Sequence, residues 1–287
     1  TLWLFTLRDI PALIIPQTTF GITIALSGNI TTNIPQHYLW IIKRIPLVAF
    51  WNWINVLLFS ISNQRLPDSL LEDTLNKPWR PLPSHRISPA QARRLLLVVI
   101  PLALLAAAFL GGLPEPLLLM VMTWMYNDLG GADESPVIRN LLNALGIACY
   151  SSASAIVASG HDRQNLKSDT QLWLLVVAGI VFTTLQIMDL ADMAGDASRG
   201  RNTLPLLYGK DTTRSTIIFF VLGWSIICPL MWGVGVVGKA VCVVAGCWLS
   251  LRTHLRRGIA EDKVNFKIWS VWTMVLYLLP LMKRLGL

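Results

Sequence analysis

Long apolar segments recur throughout this chain, and they constrain its fold more than any other feature. Hydrophobic residues make up 54% of the sequence and charged residues only 14%, which is too apolar for an ordinary soluble domain. About 20 consecutive apolar residues form a helix long enough to cross the hydrocarbon core of a bilayer. The sequence therefore predicts an all-α fold, a polytopic membrane bundle that forms one domain over residues 1–287. We predict nine membrane-spanning helices, at residues 10–28, 39–62, 94–112, 115–127, 139–159, 171–190, 213–233, 236–252 and 267–284.

The net positive charge of the chain, +8, is carried between these apolar segments. Three loops, which follow the second, sixth and eighth predicted helices, hold most of the basic residues: Lys77, Arg80, Arg86, Arg93, Arg94, Arg199, Arg201, Lys210, Arg214, Arg252, Arg256, Arg257, Lys263 and Lys267. The opposite loops hold little beyond Arg163, Lys167 and Lys239. Because cytoplasmic loops of membrane proteins are enriched in Lys and Arg, we expect the three basic loops to face the cytoplasm. This distribution indicates topology, and it does not point to nucleic-acid binding.

One acidic motif stands where the sixth apolar segment ends. Asp189, Asp192 and Asp196 are spaced at i, i+3 and i+7, so they share one face of a helix. Carboxylates at the end of a membrane segment are costly unless they face a polar cavity or a bound cation. Their oxygens are ligands that Mg²⁺ prefers, commonly together with a substrate phosphate. The motif predicts a metal site, and the alternative is a solvated helix end balanced by Arg199 and Arg201.

A second polar stretch, residues 63–83, follows the second predicted helix. Its candidate metal ligands are Asn63, Asp68, Glu72 and Asp73. The loop that comes next is stiffened by prolines and carries Lys77 and Arg80, which can contact phosphate oxygens directly. Both acidic stretches are expected on the cytoplasmic side, where they can face each other across the bundle. A diphosphate head group bound there would leave a long apolar tail in the membrane interior, so a polyprenyl diphosphate is the predicted ligand.

The two motifs together resemble those of the UbiA superfamily of intramembrane prenyltransferases. Residues 76–84, Asn-Lys-Pro-Trp-Arg-Pro-Leu-Pro-Ser, are similar to the loop after the first family motif. The second motif, Asp-x-x-Asp-x-x-Gly-Asp followed by Thr-Leu-Pro, is matched by residues 189–196 and 203–205. The resemblance implies a nine-helix bundle, Mg²⁺ as cofactor and loss of diphosphate from an allylic substrate. It also implies phosphate contacts from Tyr126 and from Arg139, which stands where Lys is more usual.

The first motif departs from the common prenyltransferase pattern. Counting back from Asp73 puts Ser69 and Arg65 where an acid and an Asn are expected, and keeping Asn63 leaves Gln64 in an acid position. This altered motif is similar to that of fungal membrane-bound UbiA-type terpene cyclases. That similarity implies a class I sesquiterpene cyclase in the endoplasmic reticulum, which ionises farnesyl diphosphate and allows a bergamotene-type product. The alternatives are transfer of the prenyl chain onto an aromatic or other acceptor and, more remotely, an ion or lipid transporter.

Further candidates for substrate contact come from polar and aromatic side chains near the two motifs. Asn52, Asn55 and Phe59 recur at roughly helical spacing on one face, although amides in membrane helices also bond neighbouring helices. Aromatic faces stabilise cations, and an allylic cation would form here. The remaining candidates are Trp51, Trp124, Asn143, Gln186 and Arg199. Membrane lipid is the expected surrounding, and the oligomeric state stays open.

Overall fold

The computed structural model describes residues 1–28, 37–160 and 166–287. Within these ranges the regular elements are sixteen α-helices, one π-helix and one 3₁₀ helix. The all-α prediction is confirmed. Arg163, one of the few basic residues expected on the far side, lies outside the described residues.

The first half of the bundle contains nine α-helices. They are α1 (Leu2–Thr6), α2 (Ile15–Ser27), α3 (Tyr38–Lys43), α4 (Ile45–Gln64), α5 (Pro67–Asn76), α6 (Pro89–Leu110), α7 (Pro114–Asn127), α8 (Gly131–Glu134) and α9 (Pro136–Ser159). The π-helix Ile10–Ile14 leads into α2. The second half contains α10 (Ser168–Thr184), α11 (Asp189–Ser198), α12 (Leu204–Tyr208), α13 (Lys210–Trp232), α14 (Val236–Leu255), α15 (Ile259–Tyr277) and α16 (Leu279–Leu285). The 3₁₀ helix Leu185–Ile187 separates α10 from α11.

Eight helical stretches in the described part of the chain are long and apolar enough to cross a membrane. Each coincides with one of the nine predicted spans, and the protein is an integral membrane protein. The remaining span is α7, which has only 14 residues and a length of about 21 Å. Near its start Glu115 accepts a hydrogen bond from Ser152, and near its end Tyr126 accepts one from Arg139. Those partners are 13 positions apart on α9, about 20 Å, so α7 runs along much of the bundle.

Two prolines shape the entry of the chain into the bundle. Pro11 and Pro16 cannot donate main-chain hydrogen bonds, so an ordinary helix would be interrupted there. The chain widens instead into the π-helix, where the Ile15 N–H bonds to the Ile10 carbonyl five residues back. This turn fixes where the residues just before it, Arg8 and Asp9, enter the bundle.

Polar side chains tie α4 to its neighbours inside the bundle. Asn52 donates to Ser154 of α9 at 3.0 Å and to Thr18 of α2 at 3.3 Å. Asn55 donates to the carbonyl of Trp51 in its own helix. Both amides are buried, and a buried amide is stable only with such partners. The contacts of Asn52 fit the alternative interpretation, that it bonds neighbouring helices, whereas the hydrogen bond that Asn55 donates stays within α4.

Candidate active site

The two acidic stretches meet where α5 packs against α11. Asn76, the last residue of α5, donates to the carbonyl of Asp192 at 3.0 Å. Gly195 allows this approach, because a Cβ there would overlap the Asn76 amide and lie 2.9 Å from Glu72 Cγ. The glycine in the second motif is therefore required by close packing, and the predicted meeting of the two stretches is observed.

A network of ion pairs lines this junction. Six cations, Arg8, Lys77, Arg80, Arg139, Arg199 and Arg201, pair with six carboxylates, Glu72, Asp73, Asp133, Asp189, Asp192 and Asp196. The three acids of the second motif take different partners: Arg139 for Asp189 at 2.8 Å, Arg8 for Asp192 at 2.7 Å and Arg201 for Asp196 at 2.7 Å. The charges in these pairs balance. A diphosphate entering alone would therefore add uncompensated negative charge.

Burial and the basic partners have opposite effects on the pKa values of Glu72, Asp192 and Asp196. Burial alone would raise the pKa of Asp192, but the charges of Arg8 and Lys77 lower it to about 2. Burial likewise opposes ionisation of Glu72, and Arg201 and Lys77 overcome it, so the pKa of Glu72 is lowered. For Asp196, by contrast, burial prevails and raises the pKa to about 6. Of these three acids, Asp196 most readily holds a proton near neutral pH.

A cavity of about 190 Å³ extends from the network into the bundle. Its mouth is charged, and its inner wall is mostly apolar, with Leu13, Leu119, Met122, Leu142, Ile147 and Leu185. Aromatic side chains that line it are Phe59, Tyr126, Tyr150, Phe266 and Trp269. A second cavity of about 320 Å³ shares Arg8, Lys77 and Asp192 with the first and lies against α15. Their combined size is that of a small-molecule site, and the shape suits a ligand with an anionic head and an apolar tail.

Many of the predicted site residues lie on the cavity wall. Those that line it are Asn63, Glu72, Lys77, Arg80, Tyr126, Arg139, Asn143, Asp192 and Phe59. Tyr126 and Arg139 act as a pair, since Arg139 donates to the tyrosine oxygen at 2.7 Å as well as to Asp189. Asn63 donates to Asn127 of α7 at 2.7 Å.

Other predicted residues stand behind this wall. Asp73, Asp189, Asp196 and Arg199 are held in ion pairs of the network. Gln186 is buried, where it accepts from Asn140 and donates to a main-chain carbonyl. The first four remain candidates for the head-group site because their partners line it.

Three predicted residues lie away from both the cavity and the network. Asp68 is exposed at the start of α5, Trp124 is 55% exposed, and Trp51 is fully buried against Tyr150. The face of α5 that meets α11 contains Ser69, Glu72, Asp73 and Asn76, spaced at i, i+3, i+4 and i+7, and this face leaves Asp68 outside. We leave these three, together with Asn52 and Asn55, out of the proposed substrate site.

The structure brings to the site several residues that the sequence motifs did not indicate. Arg8 and Asp9 line the cavity from the first turn of the bundle, although an Arg-Asp pair directly before an apolar segment was a usable signal. Asp133 of α8 accepts hydrogen bonds from both Arg199 and Arg201, which fixes the loop after α11. Ser69, at the position where the family pattern has an acid, accepts a hydrogen bond from Arg199.

The carboxylates of the network are suitable ligands for Mg²⁺, although they are not arranged around a single ion position. No group of three His, Cys, Asp or Glu side chains in residues 1–28, 37–160 and 166–287 is placed to hold a metal ion. However, Asp196 Oδ2 is buried and has no hydrogen-bond partner among the described residues, which is costly unless a cation or proton satisfies it. Carboxylate oxygens are the ligands Mg²⁺ prefers, and the charge balance of the network calls for cations to accompany a diphosphate.

Comparisons with known proteins give one consistent result. Residues 68–273 match the UbiA prenyltransferase family. The fumagillin β-trans-bergamotene synthase of Aspergillus fumigatus is 30% identical over 99% of this chain and 93% of that protein. The somaliensene A/B synthase of Streptomyces somaliensis is 29% identical over 94% of this chain and 88% of that protein. The structure of a UbiA homologue from Archaeoglobus fulgidus bound to GPP and Mg²⁺ aligns with a TM-score of 0.65 at 15% identity, over 96% and 98% of the two chains.

Proposed function

Because this chain belongs to the UbiA prenyltransferase family, we propose that it is a Mg²⁺-dependent terpene cyclase that ionises farnesyl diphosphate and cyclises the resulting cation. The observation that carries this proposal is the continuity of a charged mouth with an apolar, aromatic-lined cavity. The relative that matches 99% of the chain is a terpene synthase, which favours cyclisation over transfer.

The head group would be held by the cations of the network. Lys77, Arg80 and Arg139 line the cavity, and each is paired with a carboxylate that it could exchange for a phosphate oxygen. Charge-assisted hydrogen bonds of this kind are short and strong, and Arg can make two at once. These side chains would orient the diphosphate so that its ester bond points into the cavity.

The proposed metal ligands are the carboxylates released by that exchange, together with Asp196, which is paired with Arg201 through one oxygen and has no hydrogen-bond partner among the described residues on the other. Asp189, Asp192 and Asp196, with Glu72 and Asp73, would hold Mg²⁺, which supplies positive charge to stabilise the departing diphosphate. Asp68 was also predicted as a ligand, but its exposed position gives this role no support.

The inner cavity would protect and shape the cation. Ring faces attract positive charge, and Phe59 and Tyr126 pack together on the wall with ring centroids 5.7 Å apart. Phe266 and Trp269 stack on the α15 side at 5.8 Å. The apolar residues between them would keep water from the reactive centre and favour a folded chain.

A prenyltransferase is the second candidate, because the family is named for that reaction and the same head-group site serves both. A transporter has weaker support, since the acidic groups at the cavity mouth are bound to basic partners. We place the cavity mouth on the cytoplasmic side of the endoplasmic reticulum membrane. The cytoplasmic orientation rests on the basic loops around α5 and α11, and the endoplasmic reticulum on the resemblance to fungal terpene cyclases.

The proposal is tested by giving membranes that contain the protein farnesyl diphosphate and Mg²⁺, without an acceptor. Gas chromatography–mass spectrometry of the extract should show a cyclic hydrocarbon that is absent with matched membranes lacking the protein. Product formation only after an acceptor is supplied would instead identify a prenyltransferase. Parallel incubations with the shorter and longer diphosphates, geranyl and geranylgeranyl, would establish the chain length.

A further inference from the structure

Asp9 is an acid in the cavity that belongs to neither acidic motif. It lines the cavity together with Phe59, Ser60 and Tyr150. Its Oδ2 accepts a hydrogen bond from Ser60 Oγ of α4 at 3.1 Å. Although Asp9 directly precedes the π-helix, its side chain makes no capping hydrogen bond with that helix. The carboxylate is therefore directed toward the cavity wall formed by α4 and does not cap the helix that it precedes.

Its electrostatic surroundings distinguish Asp9 from the other carboxylates of the cavity. Three acids line the cavity, and two of them, Glu72 and Asp192, are paired with Arg or Lys. Asp9 forms no ion pair with any residue in the described ranges. A carboxylate that is held in no ion pair, beside an apolar chamber, is suited to meet a positive charge that forms only during reaction.

Asp9 also lies deeper than the proposed head-group site. Ser60 is four residues before Gln64, the end of α4, so it lies about 6 Å further into the bundle. The neighbouring Arg8 points instead to Asp192 at the mouth. These two consecutive residues therefore have different positions. Arg8 lies at the charged mouth, and Asp9 lies in the adjoining part of the apolar chamber, where the prenyl chain would fold.

From this placement we propose, on the premise that the protein is a cyclase, that Asp9 is the base that ends the reaction. Its carboxylate would remove a proton from a carbon next to the cationic centre. The electrons of that C–H bond become the new C=C bond, the cation becomes a neutral hydrocarbon, and the carboxylate becomes a carboxylic acid. The acid then returns its proton to water at the cavity mouth. Until that step the hydrogen bond from Ser60 holds the carboxylate in position.

The test compares Asp9→Asn with the unchanged protein, measuring both released diphosphate and hydrocarbon from farnesyl diphosphate. Asn has the same shape but a far weaker basicity, so diphosphate release should stay within about threefold. The yield of the original hydrocarbon per diphosphate released should fall at least tenfold, replaced by alcohols from capture by water or by other alkenes. Asp9→Glu keeps a carboxylate and should still give mainly hydrocarbons. Asp169→Asn, a change at an exposed acid of α10, is the matched control and should leave both quantities unchanged.

Three results would overturn the inference. An unchanged product pattern and hydrocarbon yield in Asp9→Asn would show that Asp9 is not the base. Parallel loss of diphosphate release and hydrocarbon would place Asp9 in ionisation or in folding. If the unchanged protein itself forms no hydrocarbon, the cyclase proposal fails and this inference fails with it. If both proteins form the original hydrocarbon in the same yield per diphosphate released, only the role of Asp9 is refuted.

Discussion

Substitutions in the buried pair of Arg139 and Asp189 can separate the contribution of these residues to protein stability from their contribution to catalysis. Arg139 Nη2 lies 2.8 Å from Asp189 Oδ1, and each side chain is only 3% exposed. Arg139→Met removes the cation and leaves Asp189 buried without its partner. Breaking a buried pair in this way typically costs about 3–5 kcal/mol. With about 2–4 °C per kcal/mol for a chain of this size class, the unfolding midpoint should fall by roughly 6–20 °C.

The double variant Arg139→Met/Asp189→Leu is the decisive comparison. It replaces both charges with apolar side chains, an exchange that is often neutral or stabilising at buried sites. The double variant should therefore recover at least half of the lost stability, while turnover stays absent because both groups are proposed to act on the head group. Thermal unfolding would be followed on purified protein in detergent, without Mg²⁺ or substrate.

The exposed pair of Arg257 and Asp211 provides the control. Its atoms are 2.9 Å apart, but the side chains are 53% and 81% exposed. Arg257→Met should therefore change stability by less than about 1 kcal/mol. If Arg139→Met lowered the stability as little as Arg257→Met does, or if the double variant were no more stable than Arg139→Met, the claim that the buried charges depend on each other for stability would be wrong.

Other changes test the head-group site. Asp196→Ala should abolish turnover while the protein is still inserted and expressed, and near-normal activity would refute its proposed metal role. Because the pKa of Asp196 is raised to about 6, its carboxyl group must lose a proton to bind Mg²⁺; Mg²⁺ affinity in titrations should therefore fall as the pH is lowered through about 6. A flat profile there would contradict this. Gly195→Ala should cost about 1–3 kcal/mol and reduce turnover through overlap with Asn76, unlike Gly223→Ala, where a Cβ meets open space. Gln64→Asp should give no manyfold gain in turnover, because the buried amide donates to a main-chain carbonyl of α1 that a carboxylate cannot serve; a manyfold gain would mean that the first motif was misread.

The helices and the two motifs could be predicted because their signals are local. A run of apolar residues specifies a membrane helix wherever it occurs, and the family resemblance that the motifs indicated is confirmed. The spacing of Asp189, Asp192 and Asp196 also predicted that these three residues lie on one face of α11, and this face carries the ion pairs of the network. Helix length alone does not identify α7 as a membrane-spanning helix, because α7 has only 14 residues. Its course along α9 follows from the hydrogen bonds at both of its ends.

The partners of each charged group could not be predicted, because they depend on how distant helices pack. Arg8 reaches Asp192 across 184 positions of sequence, and Asp133 joins Arg199 from a four-residue helix. Asp68 and Glu72 were both predicted as metal ligands, but the face of α5 that meets α11 begins one residue after Asp68, at Ser69. Because helical spacing alone allows several neighbouring faces, only the packing partner selects one of them.

The most direct measurement of the central claim is the molar ratio of cyclic hydrocarbon to diphosphate released by the purified protein. The protein would receive farnesyl diphosphate and Mg²⁺ without an acceptor, and a chelator would provide the metal-free control. We expect about one hydrocarbon for each diphosphate, and neither product when the metal is removed. Diphosphate release with farnesol as the sole organic product, or release that persists without divalent metal, would contradict this expectation.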